Sequence, residues 1–334
     1  MKTDVLTNRR FSEVLQARQL LEEVVLHTPL HFSQMLSDAY KAEVWLKRED
    51  RQRVRSYKIR GAYNKIATLS TEEKCRGVVC ASAGNHAQGV AYSCNTLRIG
   101  SVIFMPVTTP QQKVKQVIHF GREFAEVCLV GDTFDDAYAE AMRYACDKGM
   151  AFIHPFDDDQ VIAGQGTVAL EILEDMHQPP DYLFVPVGGG GLAAGISTVI
   201  RQISPRTKLM GVQPCGAPSM KKSLDAGCVT ELEHIDKFVD GASVKRPGLR
   251  TFDRCRDAFH DFLLVHEGAV CAAMIRMYNE EAIVLEPAGA LSIAALDSCK
   301  DQISGKKVVC ILSGGNSDWE RMLEIKERAL MMKN

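Results

Sequence analysis

The sequence lacks both a strong imbalance of charge and a long hydrophobic run. Its 40 basic and 42 acidic residues give a formal net charge of −2. A chain this close to neutral offers no electrostatic basis for binding nucleic acid or an anionic membrane surface. No apolar stretch approaches the ~20 residues that cross a bilayer, and no basic segment followed by an apolar one opens the chain. We therefore expect no membrane span and no signal peptide.

Paired cysteine motifs are missing too, although the chain contains 11 cysteines. The cysteines are scattered, no two of them form a C-x-x-C pair, and none shares zinc-ligand spacing with histidine. This pattern predicts free, largely buried thiols of the kind found in a reducing cytoplasm. It gives no support for a metal site.

Apolar, β-rich runs alternate with helical patterns along most of the chain. The length of 334 residues suggests two domains. Alternation of this kind predicts open parallel sheets in an α/β fold. Strands are predicted at residues 77–81, 101–105, 125–130, 182–187, 209–213 and 307–312, and helices at 85–97, 109–120, 133–148, 166–176, 192–203 and 268–282.

Polar and turn-forming residues interrupt this pattern at residues 153–166. Two interpretations stay open at this point. The segment is either the crossing between two domains or an ordinary loop between a helix and a strand.

Lys58 becomes informative when it is considered together with three downstream loops. The loops span residues 82–86 (SAGNH), 188–191 (GGGG) and 313–316 (SGGN), and each follows a predicted strand. In open α/β sheets, ligands bind at the carboxyl ends of the strands, so the three loops are expected to meet. A lysine that can form an imine, surrounded by loops of small residues, predicts a site for an anionic carbonyl cofactor. Pyridoxal phosphate fits this description best.

The loop at 188–191, called the glycine loop from here on, is predicted to bind phosphate. Glycines let backbone N–H groups approach an oxyanion closely, and the helix that follows adds a favourable partial charge. The loop has neither the G-x-G-x-x-G pattern of a dinucleotide fold nor the Lys-Ser/Thr of a P-loop. The 82–86 loop offers hydrogen-bond donors to a carboxylate, although Asn85 could instead cap the next helix and His86 could be a structural histidine.

Together these segments resemble the fold-type II pyridoxal-phosphate enzymes, in the threonine dehydratase (threonine ammonia-lyase) and serine dehydratase branch. The resemblance extends from residues 27–30 (HTPL) to 313–316. It implies two α/β domains of the tryptophan synthase β-like architecture with the cofactor in the cleft between them. The implied large domain comprises residues 1–72 plus 151–334, and the small domain comprises residues 73–150. The implied reaction is β-elimination of L-threonine to 2-oxobutyrate and ammonia, and also of L-serine to pyruvate.

The resemblance also assigns a role to each site residue. Lys58 would hold the cofactor and remove the Cα proton, with Tyr57 beside the pyridine ring. Asn85 would bond the phenolic oxygen, Ser313 would face the pyridine nitrogen, and Glu286 would lie near the ring or have a structural role. The implied cofactor site consists of Lys58, Tyr57, Asn85, Gly188, Gly189, Gly190, Gly191, Gly241, Glu286 and Ser313. The implied substrate-carboxylate site consists of Ser82, Ala83, Gly84, Asn85 and His86.

Two positions refine these expectations, and Tyr57, which stands where the family usually has phenylalanine, is a further departure. Ala83 stands where serine racemases carry a second serine that donates a proton, which favours a dehydratase. Gln213 stands where relatives often have a cation-binding glutamate. Its amide makes a divalent metal doubtful and leaves carbonyl ligation of a monovalent cation open.

Several alternatives and further implications accompany this prediction. The alternatives are a 3-hydroxyaspartate dehydratase, a serine racemase, and a catalytically silent amino-acid-binding protein on the same scaffold. The resemblance implies a homodimer or homotetramer that binds a small-molecule amino acid as its substrate. About 20 residues follow Ser313, so we expect no C-terminal regulatory domain and no feedback by isoleucine through one.

Overall fold

The computed structural model describes residues 2–331, with side chains from residue 8 onward. In this part of the chain, ten strands form two sheets. The strands are β1 (Leu30–Phe32), β2 (Glu43–Arg48), β3 (Val78–Ala81), β4 (Ser101–Met105), β5 (Ala125–Leu129), β6 (Ala151–Phe152), β7 (Tyr182–Pro186), β8 (Lys208–Pro214), β9 (Asp261–Val265) and β10 (Lys307–Leu312). The predicted α/β fold with open, mainly parallel sheets is confirmed.

The larger sheet has six strands in the order β1-β2-β10-β7-β8-β9. Only β1 runs antiparallel to its neighbour, and the other four pairings are parallel. Every residue of β7 is buried because helices cover both faces of the sheet. Such strands are apolar throughout, without the alternation of a half-exposed strand.

The smaller sheet has four parallel strands in the order β5-β4-β3-β6. Strand β6 lies in this sheet, although its residues directly follow the predicted end of the small domain at residue 150. Val78 pairs with Ala151 and Val79 pairs with Phe152. The smaller sheet therefore extends two residues beyond that boundary, and the division into domains stays a prediction.

Fifteen α-helices surround the sheets in the described residues. They are α1 (Lys2–Leu21), α2 (Gln34–Tyr40), α3 (Lys58–Ala67), α4 (Thr71–Arg76), α5 (Asn85–Leu97), α6 (Gln111–Gly121), α7 (Phe134–Lys148), α8 (Asp159–Asp175), α9 (Gly191–Ile203), α10 (Ser219–Ala226), α11 (Leu249–Cys255), α12 (Glu267–Glu281), α13 (Pro287–Ala294), α14 (Lys300–Ile303) and α15 (Met322–Met331). None of them is long and apolar enough to serve as a transmembrane span.

Helix α8 begins earlier than the sequence predicts. Residues 159–166 are helical, so the loop predicted at 153–166 is wrong beyond Asp158. Gly164 and Gly166 suggest a turn, but here they permit close helix packing. A Cβ at Gly164 would lie 2.5 Å from the Arg60 carbonyl oxygen, and one at Gly166 would lie 2.9 Å from the Gly195 carbonyl oxygen.

A buried ion network joins β2, α3 and α8. Arg60 is fully buried and donates to both carboxylate oxygens of Glu49, at 2.9 and 2.8 Å, and to both of Glu171, at 2.6 and 2.8 Å. Lys47, also fully buried, lies 2.6 Å from Glu171 and donates to the Thr28 carbonyl oxygen. Two cations thus balance two carboxylates, which is the arrangement that buried charges require.

The cysteines are free, as the sequence predicts, and six of the 11 are buried. Burial raises the pKa of the thiols of Cys80, Cys255 and Cys310 well above the usual value. These three thiols therefore act as small apolar groups in the core.

Candidate active site

The three predicted loops lie at the carboxyl ends of β3, β7 and β10, as expected for ligand-binding loops in an open α/β sheet. Lys58 begins α3 close to the end of β10. The Tyr57 N–H donates to the Ser313 carbonyl oxygen at 3.3 Å, and Ser56 forms a β-bridge with Gly314. The segment that carries Lys58 is therefore attached directly to the loop that follows β10.

A cavity opens between Lys58 and the glycine loop. Its lining residues are Tyr57, Lys58, Phe156, Pro186, Gly188, Gly189, Gly190, Gly191, Leu192, Gly241 and Val244. The structure thus brings together most of the predicted cofactor residues. Asn85, Glu286 and Ser313 lie in a neighbouring cluster rather than in the wall of this cavity.

The glycine loop needs glycine on steric grounds. Gly190 has a φ of 95°, which other residues rarely adopt, and it precedes the first turn of α9. A Cβ at Gly189 would lie 2.5 Å from the Phe156 ring, and one at Gly188 would lie 3.0 Å from the Ala242 Cα. The loop and the N-terminus of a 13-residue helix therefore present backbone N–H groups without side chains in the way.

The Lys58 amine is held by a hydrogen bond to the backbone of the segment that precedes Phe156. Its Nζ donates to the Pro155 carbonyl oxygen at 2.9 Å and lies 5.5 Å from the centre of the Tyr57 ring. Burial lowers the pKa of Lys58 to about 8, and the opposing effect of Glu286 is smaller. A lysine with a lowered pKa is a more available nucleophile and base near neutral pH.

Capture of pyridoxal phosphate by cofactor-free protein is expected to accelerate with rising pH around a midpoint near 8. Only the neutral amine attacks a carbonyl, and lowering the lysine pKa from 10.5 to about 8 moves its deprotonation into this range. Rapid-mixing measurements of the bound cofactor's visible absorbance between pH 6 and 11 would give the midpoint. A midpoint above 10 would show that Lys58 behaves as an ordinary solvated lysine.

Asn85, Glu286 and Asn316 form a hydrogen-bonded cluster. The Asn85 amide donates to Glu286 at 2.6 Å and accepts from Asn316 at 2.7 Å. Burial, with a smaller contribution from Asp240, raises the pKa of Glu286 to about 7. The Asn85 amide is thus engaged with Glu286 and Asn316 and does not cap α5, whose N-cap is Gly84.

The 82–86 loop divides between an open part and a buried one. A Cβ added at Gly84 would meet no atom within 4 Å, so the loop faces open space there. His86 is 3% exposed, and its Nε2 lies 2.9 Å from the Ile153 carbonyl oxygen. Burial lowers its pKa to about 3, so the ring is neutral and donates to this carbonyl. The His86 side chain is thus bound to the protein backbone, and binding of a carboxylate by the 82–86 loop stays a prediction.

Ser313 and Gly241 lie next to the same cluster. Ser313 is 3% exposed, and its hydroxyl donates to the Ala288 carbonyl oxygen at 3.2 Å. A Cβ at Gly241 would lie 3.7 Å from a Glu286 carboxylate oxygen. Gly241 therefore lines the Lys58 cavity and also adjoins Glu286, which links the cavity to the cluster that contains Ser313.

Sequence reasoning missed Phe156 and Val244, which line the cavity. No local signal identified them, because both lie in segments without regular structure. The contact between the Phe156 ring and Gly189 depends on the folding of segments more than 30 residues apart.

The residues present fit pyridoxal phosphate. A lysine with a lowered pKa and an anion-binding glycine loop line one cavity, and glycine is sterically required where the loop contacts Phe156. An aldehyde that carries a phosphate is complementary to this pair of features. Tyr57 adds an aromatic wall.

Gln213 is the residue for which ligation of a monovalent cation is left open by the sequence. It is fully buried, accepts from the Lys221 N–H at 2.8 Å, and lies 3.5 Å from the Ala217 carbonyl oxygen. No cluster of three or more His, Cys, Asp or Glu side chains suitable for a metal occurs among residues 8–331. Ligation of a monovalent cation by carbonyl groups stays a prediction.

Comparison with known proteins identifies a family and several relatives that match most of this chain. The family described as "Pyridoxal-phosphate dependent enzyme" matches residues 21–314. The biosynthetic L-threonine dehydratase IlvA of Halalkalibacterium halodurans is 56% identical over 322 residues, which cover 96% of this chain and 78% of that protein.

Two solved structures share the fold. The processed form of threonine deaminase isoform 2 from Solanum lycopersicum superposes with a TM-score of 0.93 at 39% identity, covering 97% of this chain and 88% of that one. Maize serine racemase superposes with a TM-score of 0.87 at 28% identity, covering 97% and 98% of the two chains.

Proposed function

Since this chain belongs to the family of pyridoxal-phosphate dependent enzymes, we propose that it is an L-threonine ammonia-lyase. The reaction converts L-threonine to 2-oxobutyrate and ammonia, and L-serine to pyruvate and ammonia. The observation that carries the proposal is the cavity that places the Lys58 amine opposite the glycine loop. Similarity to a biosynthetic L-threonine dehydratase supports the choice of substrate.

Lys58 is the residue to which we assign the proton transfer. When bound, pyridoxal phosphate supplies an electron sink for the negative charge that develops at the substrate Cα. Lys58 would hold this group and then, as a free amine, take the Cα proton as general base. Its lowered pKa of about 8 suits this task, because the neutral amine is available near physiological pH.

Other residues of the site would bind and orient. The backbone of the 82–86 loop and the Ser82 hydroxyl would hold the substrate carboxylate. Ser313 and the Asn85 amide, with Tyr57 beside the ring, would hold the cofactor at the end away from the glycine loop. A cleft between the two sheets can exclude water before the hydroxyl departs.

The principal alternative is an amino-acid racemase, because maize serine racemase shares the fold. Racemisation needs a proton donor on each face of the substrate Cα. Ala83 has no group that can donate a proton, so the loop that would face the substrate lacks a side-chain donor at this position. This residue favours elimination over racemisation.

A substrate panel distinguishes the candidate functions. Purified protein with pyridoxal phosphate would be supplied with L-threonine, L-serine and 3-hydroxyaspartate, and 2-oxo acids and D-amino acids would be quantified. We expect 2-oxobutyrate from threonine, less or comparable pyruvate from serine, and no D-serine. D-serine without pyruvate would indicate a racemase. A 2-oxo acid formed from 3-hydroxyaspartate but not from threonine or serine would indicate a 3-hydroxyaspartate dehydratase. Bound cofactor without any product would indicate a silent binding protein.

We also propose a homodimer or homotetramer and a cytoplasmic location. The free cysteines support a reducing compartment. The subunit number would follow from light scattering of the purified protein.

A further inference from the structure

We propose that Asp157 is a positioning residue that sets the place of the phosphate-binding glycine loop relative to Lys58. The inference rests on the proposed function, since it concerns how this chain holds pyridoxal phosphate. Among the described residues, the Asp157 carboxylate forms its hydrogen bonds with α11 and forms none with the Lys58 amine or the glycine loop. It acts through α11 on one side and through its own short segment on the other.

The Asp157 carboxylate accepts three consecutive backbone N–H groups at the start of α11. One oxygen accepts from Leu249 at 3.1 Å, and the other accepts from Arg250 at 2.8 Å and from Thr251 at 3.2 Å. These are N–H groups that a helix leaves without an internal partner. Gly248 has no side chain that could cap α11. Asp157 therefore caps this helix from a segment that lies 92 to 94 residues earlier in the chain.

Helix α11 in turn holds the glycine loop. The Thr251 hydroxyl is buried and donates to the Gly189 carbonyl oxygen at 2.6 Å, and the Gly248 N–H donates to the same oxygen at 3.4 Å. A Cβ at Gly190 would lie 2.9 Å from the Thr251 Cβ. With its carbonyl turned toward α11, Gly189 has a fixed peptide plane. The Gly190 N–H shares this plane and is thereby oriented as well.

The other side of Asp157 leads to Lys58. Pro155, two residues earlier, accepts the hydrogen bond of the Lys58 amine, and Phe156 packs on Gly189. His154 fixes the turn, because its Nδ1 accepts from the N–H groups of Phe156 and Asp157 at 3.2 and 2.8 Å. Burial lowers the pKa of His154 to about 4, so this nitrogen stays an acceptor at neutral pH.

The fit around Asp157 is tight. A Cβ at Gly248 would lie 2.3 Å from the Asp157 carboxylate carbon, so the carboxylate packs directly on the backbone that it caps. One side chain thus joins the wall that holds the Lys58 amine to the helix that orients the phosphate loop.

Asp158 provides a matched control. It is the next residue, and its carboxylate also caps a helix, accepting from Gln160 at 2.8 Å and Val161 at 3.1 Å. That helix is α8, and among the described residues the hydrogen bonds and the ion pair of the Asp158 carboxylate involve neither α11 nor the glycine loop. A merely structural role would give Asp157→Ala and Asp158→Ala similar consequences.

The test measures cofactor affinity rather than activity. The full-length protein and its Asp157→Ala and Asp158→Ala variants would be stripped of cofactor and titrated with pyridoxal phosphate and with pyridoxal, which lacks the phosphate. We expect Asp157→Ala to weaken pyridoxal phosphate about tenfold or more, as loss of a helix cap and of its oriented loop implies. The affinity of Asp157→Ala for pyridoxal should change by less than about threefold. The affinity of Asp158→Ala for pyridoxal phosphate should also change by less than about threefold.

Thr251→Val provides a second variant, in case Asp157→Ala does not fold. It removes only the hydroxyl that donates to Gly189, and it should reproduce the selective loss of affinity for the phosphate form. Equal losses for pyridoxal and pyridoxal phosphate, or equal effects of Asp157→Ala and Asp158→Ala, would overturn the proposal. Failure of the parent protein to bind pyridoxal phosphate would instead refute the proposed function, and this inference with it.

Discussion

Lys58→Ala is expected to abolish formation of 2-oxobutyrate from L-threonine, with a fall in kcat of about a thousandfold or more. The variant loses the amine that would hold the cofactor and the base that would remove the Cα proton. The bound cofactor's visible absorbance should disappear with the activity. The measurement is the initial rate of 2-oxobutyrate formation together with an absorbance spectrum of the same sample.

Lys65→Ala is the matched control for this variant. Lys65 lies in the same helix, α3, and pairs with Asp158 at 2.8 Å near the surface. Its loss should leave kcat within about twofold, since Lys65 is not among the residues that line the cavity. Substantial activity in Lys58→Ala would mean that another group removes the proton.

Arg60→Ala should lower the free energy of unfolding by about 3–5 kcal/mol, because it leaves the buried Glu49 without a cation and leaves Glu171 with Lys47 alone. Arg60 forms ion pairs with both Glu49 and Glu171. Burial lowers the pKa of Arg60, but the two carboxylates raise it by more, so the pKa lies above its usual value. Urea unfolding of the variant and its parent would measure the loss.

Arg143→Ala is the contrasting control. Arg143 also pairs with two carboxylates, but its side chain is 62% exposed. Its removal should cost less than about 1 kcal/mol. A loss below about 1 kcal/mol for Arg60→Ala would mean that water reaches the network or that its carboxylates take up protons.

Several elements were predictable from local pattern alone, among them the helix at 85–97, which matches α5 residue for residue, whereas β1, β2, β6 and β9 were not predicted. The strands predicted at 101–105 and 307–312 match β4 and β10 residue for residue, because both are apolar runs with clear ends. The helix predicted at 166–176 is shorter than α8, because glycine in isolation favours turns. The tolerance of α8 for Gly164 and Gly166 comes from α3 and α9, which pack where a side chain would stand. Such close helix contacts are not visible in a local pattern.

The candidate site was predictable to the extent that single loops carry its chemistry. Lys58 and the glycine loop line one cavity, as the motif at each position suggests. The role of the His86 side chain was decided by the Ile153 carbonyl oxygen, which lies 67 residues away in the chain. The capping of α11 by Asp157 likewise depends on two segments that meet only in the folded protein. Contacts of this kind define how the site is held, and no motif records them.

We expect this chain to convert L-threonine to 2-oxobutyrate and ammonia, because the water lost in the elimination is regained when the resulting imine is hydrolysed. The most direct measurement is the amount of 2-oxobutyrate and of ammonia formed in one sample of purified protein, pyridoxal phosphate and L-threonine. We expect equal amounts of the two products, rising together with time and absent with Lys58→Ala. Neither product, from protein whose absorbance shows bound cofactor, would contradict it.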